Sequence, residues 1–303
     1  AATKRARAGG GSAPDRLSAL PDELLRHVLS FLPSRQAVQT IVLSRRWVDL
    51  WRSVPAINLD FMDFEGTDGS YTVSWEKMKD FTTNLLMLHN AQLLDAIRLR
   101  TFRHKFQIPF FGSAFCRLKT LKLDGVSLDH CFTERLNSGC PVLEDLVLDS
   151  CRNEFDAIQS DTLKNLVEDC SGNVADGLVI RAPCLASLSL RFPYSYYRNG
   201  LSLEAGNSLV TASISVDSDG SSQSYQTIIL GSLWNVTSVD LKGFSAMAFL
   251  DNEFDKFPIF DNLRTLSLSW CFLSEHDVHK FKALGRFLQN SPNLEKLTLQ
   301  DFW

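Results

Sequence analysis

Cysteine is scarce in this 303-residue chain, and none of it is arranged in pairs. The seven residues (Cys116, Cys131, Cys140, Cys151, Cys170, Cys184, Cys271) are odd in number, lie far apart and form no CxxC. A zinc ribbon and a thioredoxin-type redox pair are thereby excluded. The pattern fits reduced thiols in a reducing compartment, so nucleus or cytoplasm is the expected location. An excess of positive charge is missing too. Lys and Arg number 31 against 35 Asp and Glu, a net charge of −4, so no strong field exists to neutralise phosphates and no nucleic-acid partner is expected. No apolar run has the length needed to cross a bilayer, and no charged-then-apolar start marks a secretory signal, so no membrane partner is expected either. Motifs of catalysis are also lacking. His276 and His279 stand as HxxH where a zinc protease needs HExxH. There is no Gly-rich phosphate loop, nucleophile elbow or paired catalytic carboxylate motif, and Gly9 to Gly11 read as linker. No metal, no cofactor and no enzyme activity is expected.

What is present is a globular composition, 45% hydrophobic and 22% charged, sufficient for a sizeable core. Residues 1–14 are basic, small and Gly-rich, and read as a flexible leader in which Lys4, Arg5 and Arg7 are either an import signal or a solvated arm. Residues 15–55 change character. Leu20, Leu24, Val28 and Leu32 recur every four residues, Leu25 and Leu29 widen the stripe, and Asp22, Glu23, Arg26 and Ser30 take the other side: an amphipathic helix. Pro21 suits a first helical position and Pro33 a stop. Ser34 and Ser44 are candidate N-caps for two more short helices, roughly 35–43 and 45–52, the second carrying Trp47, Leu50 and Trp51. So small a unit cannot bury this much apolar surface by itself, and a protein partner is expected to cover the remainder.

Residues 56–92 read as a less regular connection holding a helix from about Trp75 to Leu88. From residue 93 a repeat L-x-x-L-x-L takes over, with Ile or Val allowed. Seven copies are clear: Leu94-Ile97-Leu99, Leu118-Leu121-Leu123, Leu143-Leu146-Leu148, Leu185-Leu188-Leu190, Val236-Val239-Leu241, Leu263-Leu266-Leu268 and Leu294-Leu297-Leu299. Leu209-Ala212-Ile214 is weaker, and Leu163-Leu166 carries Glu168 where the third apolar residue belongs. The starts lie 20 to 31 residues apart, the spacing of leucine-rich repeats. Cys151 and Cys271 fall eight residues after their repeat's first Leu, where that pattern takes Asn or Cys. Each triplet predicts a short strand, and stacked neighbours bury one continuous core. The longest link, Ser274 to Asn290, predicts a helix capped by Ser274 with Val278, Phe281, Leu284 and Leu288 on its apolar face. The expected fold is therefore α/β: three short helices, then a curved solenoid of about nine repeats over 93–303, parallel strands on the concave side and helices and loops on the convex. The chain starts at Ala1 and ends on Trp303 without a capping segment, and processing or truncation is the expectation.

The string LPDELLRHVLSFLPSRQAVQTIVLSRRWVDLW, Leu20 to Trp51, resembles the F-box family, and specifically its large plant F-box/leucine-rich-repeat group, FBD-associated members included. CPVLEDLVLDSC (Cys140 to Cys151) and APCLASLSL (Ala182 to Leu190) are similar to that group's repeats. The FBD segment that many members carry at the C-terminus is not read in this sequence, which fits the expected truncation or a shorter variant. The resemblance implies a substrate receptor: the F-box docks on a Skp-type adaptor, which bridges to cullin and RING subunits of a ubiquitin ligase, while the repeats hold an unknown protein target. Adaptor contacts would come from Leu20, Pro21, Leu24, Leu25, Val28, Leu29, Val42, Leu43, Trp47, Leu50 and Trp51, although some of these must instead hold the helices together. The alternating strand residues should line the target face: Arg98, Arg100, Lys122, Asp124, Asp145, Asp149, Asp169, Arg191, Asp240 and Lys242, which with Ser187, Ser189, Thr211, Ser213, Thr265 and Ser267 make a face passing from basic through acidic to hydroxyl-rich. Two alternatives stand beside this, a scaffold or decoy outside the ligase, and a receptor for a hormone or inositol phosphate. The latter would use the basic cluster of Arg98, Arg100, Arg103, His104, Lys105, Arg117, Lys119 and Lys122.

Overall fold

The computed structural model describes residues 17–301 except 18, 66–70, 91–92, 105–114, 171–176, 193–200, 217–222, 251–256 and 273–275. The basic leader, the cap expected at Ser274 and Trp303 lie outside the described residues. Three short helices open the structure: α1 (Asp22–Leu29), α2 (Ser34–Gln39) and α3 (Arg45–Arg52). Asp22 and Glu23 sit in the first turn of α1, at the positive end of its dipole. Asp22 also accepts from Arg46 Nε at 2.7 Å, which ties α1 to α3. Leu25, Leu29, Trp47, Leu50, Trp51 and Val54 are buried between the helices.

Several caps differ from expectation. Pro21 precedes α1 in the N-cap position rather than starting it. Pro33 takes the same place before α2, so Ser34 is the first helical residue. Its hydroxyl, buried, accepts the Asn58 backbone N–H at 2.8 Å. The second helix ends at Gln39, and a 3-10 turn, Thr40–Val42, completes the span expected to 43. Ser44 does stand at the N-cap of α3, in extended backbone, without a side-chain cap bond.

The stretch expected as an irregular connection supplies a strand, β1 (Ala56–Asp60), and helix α4 (Tyr71–Leu88), one turn longer than predicted. The signal for β1 was present. Val54, Ile57 and Leu59 have the spacing of the repeat triplets and are 2–4% exposed. Nine further strands follow at the nine triplets: β2 (Ala96–His104), β3 (Thr120–Leu128), β4 (Asp145–Asn153), β6 (Asn165–Cys170), β8 (Ser187–Phe192), β10 (Thr211–Val216), β11 (Ser238–Lys242), β12 (Thr265–Ser269) and β13 (Lys296–Gln300). Among the described residues these form one ten-stranded sheet in the order β1-β2-β3-β4-β6-β8-β10-β11-β12-β13.

Every pairing is parallel and keeps the triplets in step. Ile57, Ile97, Leu121, Leu146, Leu166, Leu188, Ala212, Val239, Leu266 and Leu297 form one row across the sheet. A second ladder runs where the strands begin. The carbonyl of Lys119 accepts from the N–H groups of both Glu144 and Asp145, and the same double acceptance recurs from Pro55 to Arg264. Those bonds leave no register freedom between repeats, because a one-residue slip would turn the leucines out of the core. Leu297 and Leu299 of β13 are 38% and 37% exposed, since that strand has a described neighbour on one side only.

The links between strands carry α5 (Phe132–Gly139), α6 (Gln223–Ser232), α7 (Ala246–Leu250) and α8 (Asp277–Gln289). They also form a small parallel sheet of β5 (Ala157–Gln159), β7 (Leu178–Arg181) and β9 (Leu201–Glu204). Of the face expected to bury α8, Val278, Phe281 and Leu288 are exposed, and Leu284 is partly buried against the core. Phe287 and Ala283 face inward instead, and Phe287 stacks on Phe260 at 4.8 Å between ring centroids and meets Phe249 and Phe257. No described helix is long and apolar enough to cross a membrane.

Two exceptions to the repeat have local explanations. Glu168 lies 2% exposed in the row Leu148–Glu168–Leu190, and Asn153 Nδ2 donates to its Oε1 at 3.0 Å. Cys151 and Cys271 are fully buried, and each thiol reaches a carbonyl of the preceding repeat, Leu123 at 3.5 Å and Leu241 at 3.4 Å. A small, weakly polar group is what that position accommodates. Burial pushes both thiols, and Cys140, up to about 12, so none of the three is a reactive nucleophile at neutral pH.

Candidate functional site: the helical module and the polar face of the sheet

The structure sorts the eleven apolar residues singled out in the first helices. Leu25, Leu29, Trp47, Leu50 and Trp51 are 1–6% exposed and build the module's own core. Side chains so enclosed hold the three helices together. Pro21, Leu24, Val28, Val42 and Leu43 are exposed, and Leu20 is partly buried. The wide stripe on α1 is therefore two apolar faces: Leu25 and Leu29 turn inward, whereas Leu24 and Val28 stay 51% and 52% exposed. Ile41 at 43% joins the outer set, whereas Phe31, 73% exposed, stands in the turn between α1 and α2 on the side of the sheet. Ile41 follows the hydroxylated Thr40 in the 3-10 turn, which breaks the helical spacing that would have marked it.

The second surface is the polar face of the ten-stranded sheet. Strand register sets its side chains in three rows. One runs Asn58, Arg98, Lys122, Val147, Val167, Ser189, Ser213, Asp240. The next runs Asp60, Arg100, Asp124, Asp149, Asp169, Arg191, Ser215, Lys242. Asp145 lies in the third, where it accepts from Thr120 Oγ1 at 3.0 Å and from Asn165 Nδ2. All ten residues read as target-facing thus share one face.

The charges on that face interleave more than the sequence gradient implies. Arg100 donates to Asp124 at 2.8 Å and pairs with Asp60 at 3.4 Å; the Asp124 hydrogen bond, then the charge of Asp60, holds its guanidinium above the ordinary arginine range. Arg191 pairs with Asp169 at 3.2 Å. Asp63, in the 3-10 turn after β1, is raised above the usual carboxylate range by burial and by Asp60, against Arg35. The side chains of Arg103 and His104, two members of the expected basic cluster, lie outside what is described. Arg98, Arg100 and Lys122 share the polar face, while Arg117 pairs with Asp95 at 3.2 Å where the strands begin. Lys105 lies outside the described residues. Among the described residues no group of three His, Cys, Asp or Glu could hold a metal, and His276 and His279 are 6.3 Å apart between ring centroids.

The fold is a compact helical module with apolar side chains left outside, joined to a register-locked leucine-rich sheet with a polar face. Comparison with known proteins places it. Residues 17–57 match the F-box domain, and residues 72–207 match the leucine-rich repeats of the FBD-associated F-box protein At5g56370. The meiotic F-box protein MOF of Oryza sativa subsp. japonica is 34% identical, over 95% of this chain and 71% of its own length. The F-box/LRR-repeat protein At4g14096 of Arabidopsis thaliana is 27% identical over 94% of this chain and 73% of its own. A putative FBD-associated F-box protein of the same plant, At5g56440, is 29% identical over 93% and 77%. The chain belongs to the plant F-box/leucine-rich-repeat family.

Proposed function

We propose that this chain is the substrate-receptor subunit of a Skp–cullin–F-box ubiquitin ligase, acting in nucleus or cytoplasm. Its helical module docks on a Skp-type adaptor and through it on cullin and RING subunits, and the polar face of its sheet holds a protein target. The observation that carries this reading is the outer apolar face of α1 with the 3-10 turn, exposed in a segment that matches the F-box domain. Three short helices whose inner faces already fill their core have no internal use for Leu24, Val28, Val42 and Leu43. The receptor itself performs no chemistry. Holding the target on the same assembly as the conjugating enzyme raises their effective concentration, to the millimolar range for short spans.

The test is co-purification with a plant Skp-type adaptor, followed by size exclusion. A one-to-one complex is expected, and Leu24→Asp with Val28→Asp should abolish it while the far-ultraviolet circular dichroism stays unchanged. Adaptor binding by that folded variant would remove α1 from the interface. A wild-type chain that ignores the adaptor would end the ligase reading and leave a repeat scaffold. Adaptor binding without cullin recruitment would point to the scaffold or decoy.

A further inference from the structure

Where the helical module meets the sheet, the turn between α1 and α2 borders an open cavity of about 460 Å3 over the first four strands. One wall is apolar, made by the mostly exposed Phe31 and by Pro33. The floor is the polar face of β1 to β4. Asn58 fixes the two parts together. Its amide donates to the carbonyls of Ser30 at 2.8 Å and Leu32 at 3.0 Å, and its backbone N–H donates to Ser34 Oγ at 2.8 Å. The turn is thus held in place by three hydrogen bonds, and a ligand entering the cavity need not order it.

Three cations and four carboxylates line this space, and they are not equally committed. Arg100 is held between Asp60 and Asp124. Arg98 and Lys122 stand opposite each other in the register of β2 and β3, and neither makes an ion pair with a described residue. Arg98 donates only to the neutral Asn58 Oδ1, at 3.0 Å. Two adjacent cations without an anion repel each other, and a carboxylate placed between them would gain charge-assisted hydrogen bonds from both. The surroundings limit how much negative charge is welcome. A phosphate or inositol polyphosphate would bring two or more charges beside Asp60, Asp63, Asp124 and Asp149, whereas a side-chain carboxylate brings one. Asp149 has Asp124 and Asp169 as register neighbours, and each of those is already bound to an arginine. Asp149 accepts from Ser150 Oγ at 3.1 Å and makes no ion pair with a described residue, so its other oxygen can accept an N–H or a cation of the same ligand.

We propose that this cavity takes an Asp or Glu side chain of the target protein, from an extended segment in which that acid stands close to a large apolar residue packing on Phe31. The proposal rests on the receptor reading and narrows it to one end of the polar face and one peptide chemistry.

The experiment uses the full chain co-purified with its adaptor. The probes are short blocked peptides on an array, with one Glu or Asp and one Leu or Phe at varied separation, alongside their Gln, Asn and phosphoserine counterparts. Inositol hexakisphosphate is offered as a competitor. Acidic–apolar peptides are expected to be retained, and the amide counterparts to bind about tenfold more weakly. Arg98→Gln with Lys122→Gln should cost a similar factor, Phe31→Ala should weaken retention of every apolar-bearing peptide, and Lys282→Gln, exposed on α8 and not on the polar face, should change nothing. The proposal is overturned if no acidic peptide is retained, if amide peptides bind equally, if the double variant binds as wild type, or if phosphoserine or inositol hexakisphosphate is preferred. Co-elution of the adaptor is read in the same samples. Its loss would sink the receptor reading, whereas loss of peptide selectivity alone would sink only the cavity's assignment.

Discussion

Gly243 shows how little freedom single positions have where one repeat meets the next. It has φ +76°, a left-handed conformation that side chains disfavour, and a Cβ there would lie 1.9 Å from the Val216 carbonyl oxygen. That oxygen belongs to the end of β10, where Val216 pairs with Phe192 of β8, and it cannot move without disturbing that parallel pairing. Gly243→Ala is therefore expected to lower stability by about 3 kcal/mol or more, from backbone strain and displacement together, read as a fall in the urea midpoint. The sequence did not point to this glycine, because neither its φ nor the approach of Val216 is written locally. Glu168 is the opposite case. Its break in the leucine pattern was plain from the sequence, but the group that makes it tolerable, Asn153, is fifteen residues earlier at the end of the neighbouring strand.

At the scale of elements, α1 and α8 pose the same problem with different outcomes. Each has apolar residues around more of its circumference than one core contact can cover. For α1, which residues turn inward depends on the tryptophans of α3, and the inner and outer leucines are adjacent in sequence. For α8, spacing favoured Val278, Phe281, Leu284 and Leu288, yet the buried ring is Phe287, held by Phe260, Phe249 and Phe257 from other links. Helical period reports that apolar stripes exist and does not say which stripe meets a neighbour when there are two. The consequence can be measured. Phe287→Ala should cost about 3–5 kcal/mol through the cavity it leaves, and Phe281→Ala, whose ring is 54% exposed, within about 1 kcal/mol, by urea denaturation of each. Equal costs would mean that α8 is turned the other way.

For the whole molecule, the joint between module and sheet is the feature that repeats alone do not supply. His89, at the end of α4, donates from Nε2 to the Val54 carbonyl at 2.9 Å, just before β1, and Asn90 N–H donates to the Arg52 carbonyl. Nδ1 of His89 is buried without a hydrogen-bond partner, and burial, outweighing the Val54 bond, lowers its pKa below the ordinary 6.5. The sign follows. Above about pH 6.5 the ring is neutral whether folded or not, and its contribution is intact. As pH falls below that value the unfolded chain takes up a proton that the folded chain refuses, so stability is lost until the lowered folded pKa is reached, at up to about 1.4 kcal/mol per pH unit. The difference in urea midpoint between pH 7.5 and 5.5 should shrink in His89→Gln, whose amide can still donate to Val54; an unchanged difference would clear His89 of the effect. The repeat spacing by itself determined the ten rows of strands, because a leucine triplet buries its side chains only by stacking in register on an identical neighbour. Val54, Ile57 and Leu59 obey that rule as fully as the nine triplets after them. Only the tertiary structure decided which apolar residues of the helical module stay outside, which charges on the polar face are already paired, and that Phe31 borders one cavity with Arg98 and Lys122. Those outcomes depend on which distant segment fills the space beside a side chain, and no local spacing carries that information.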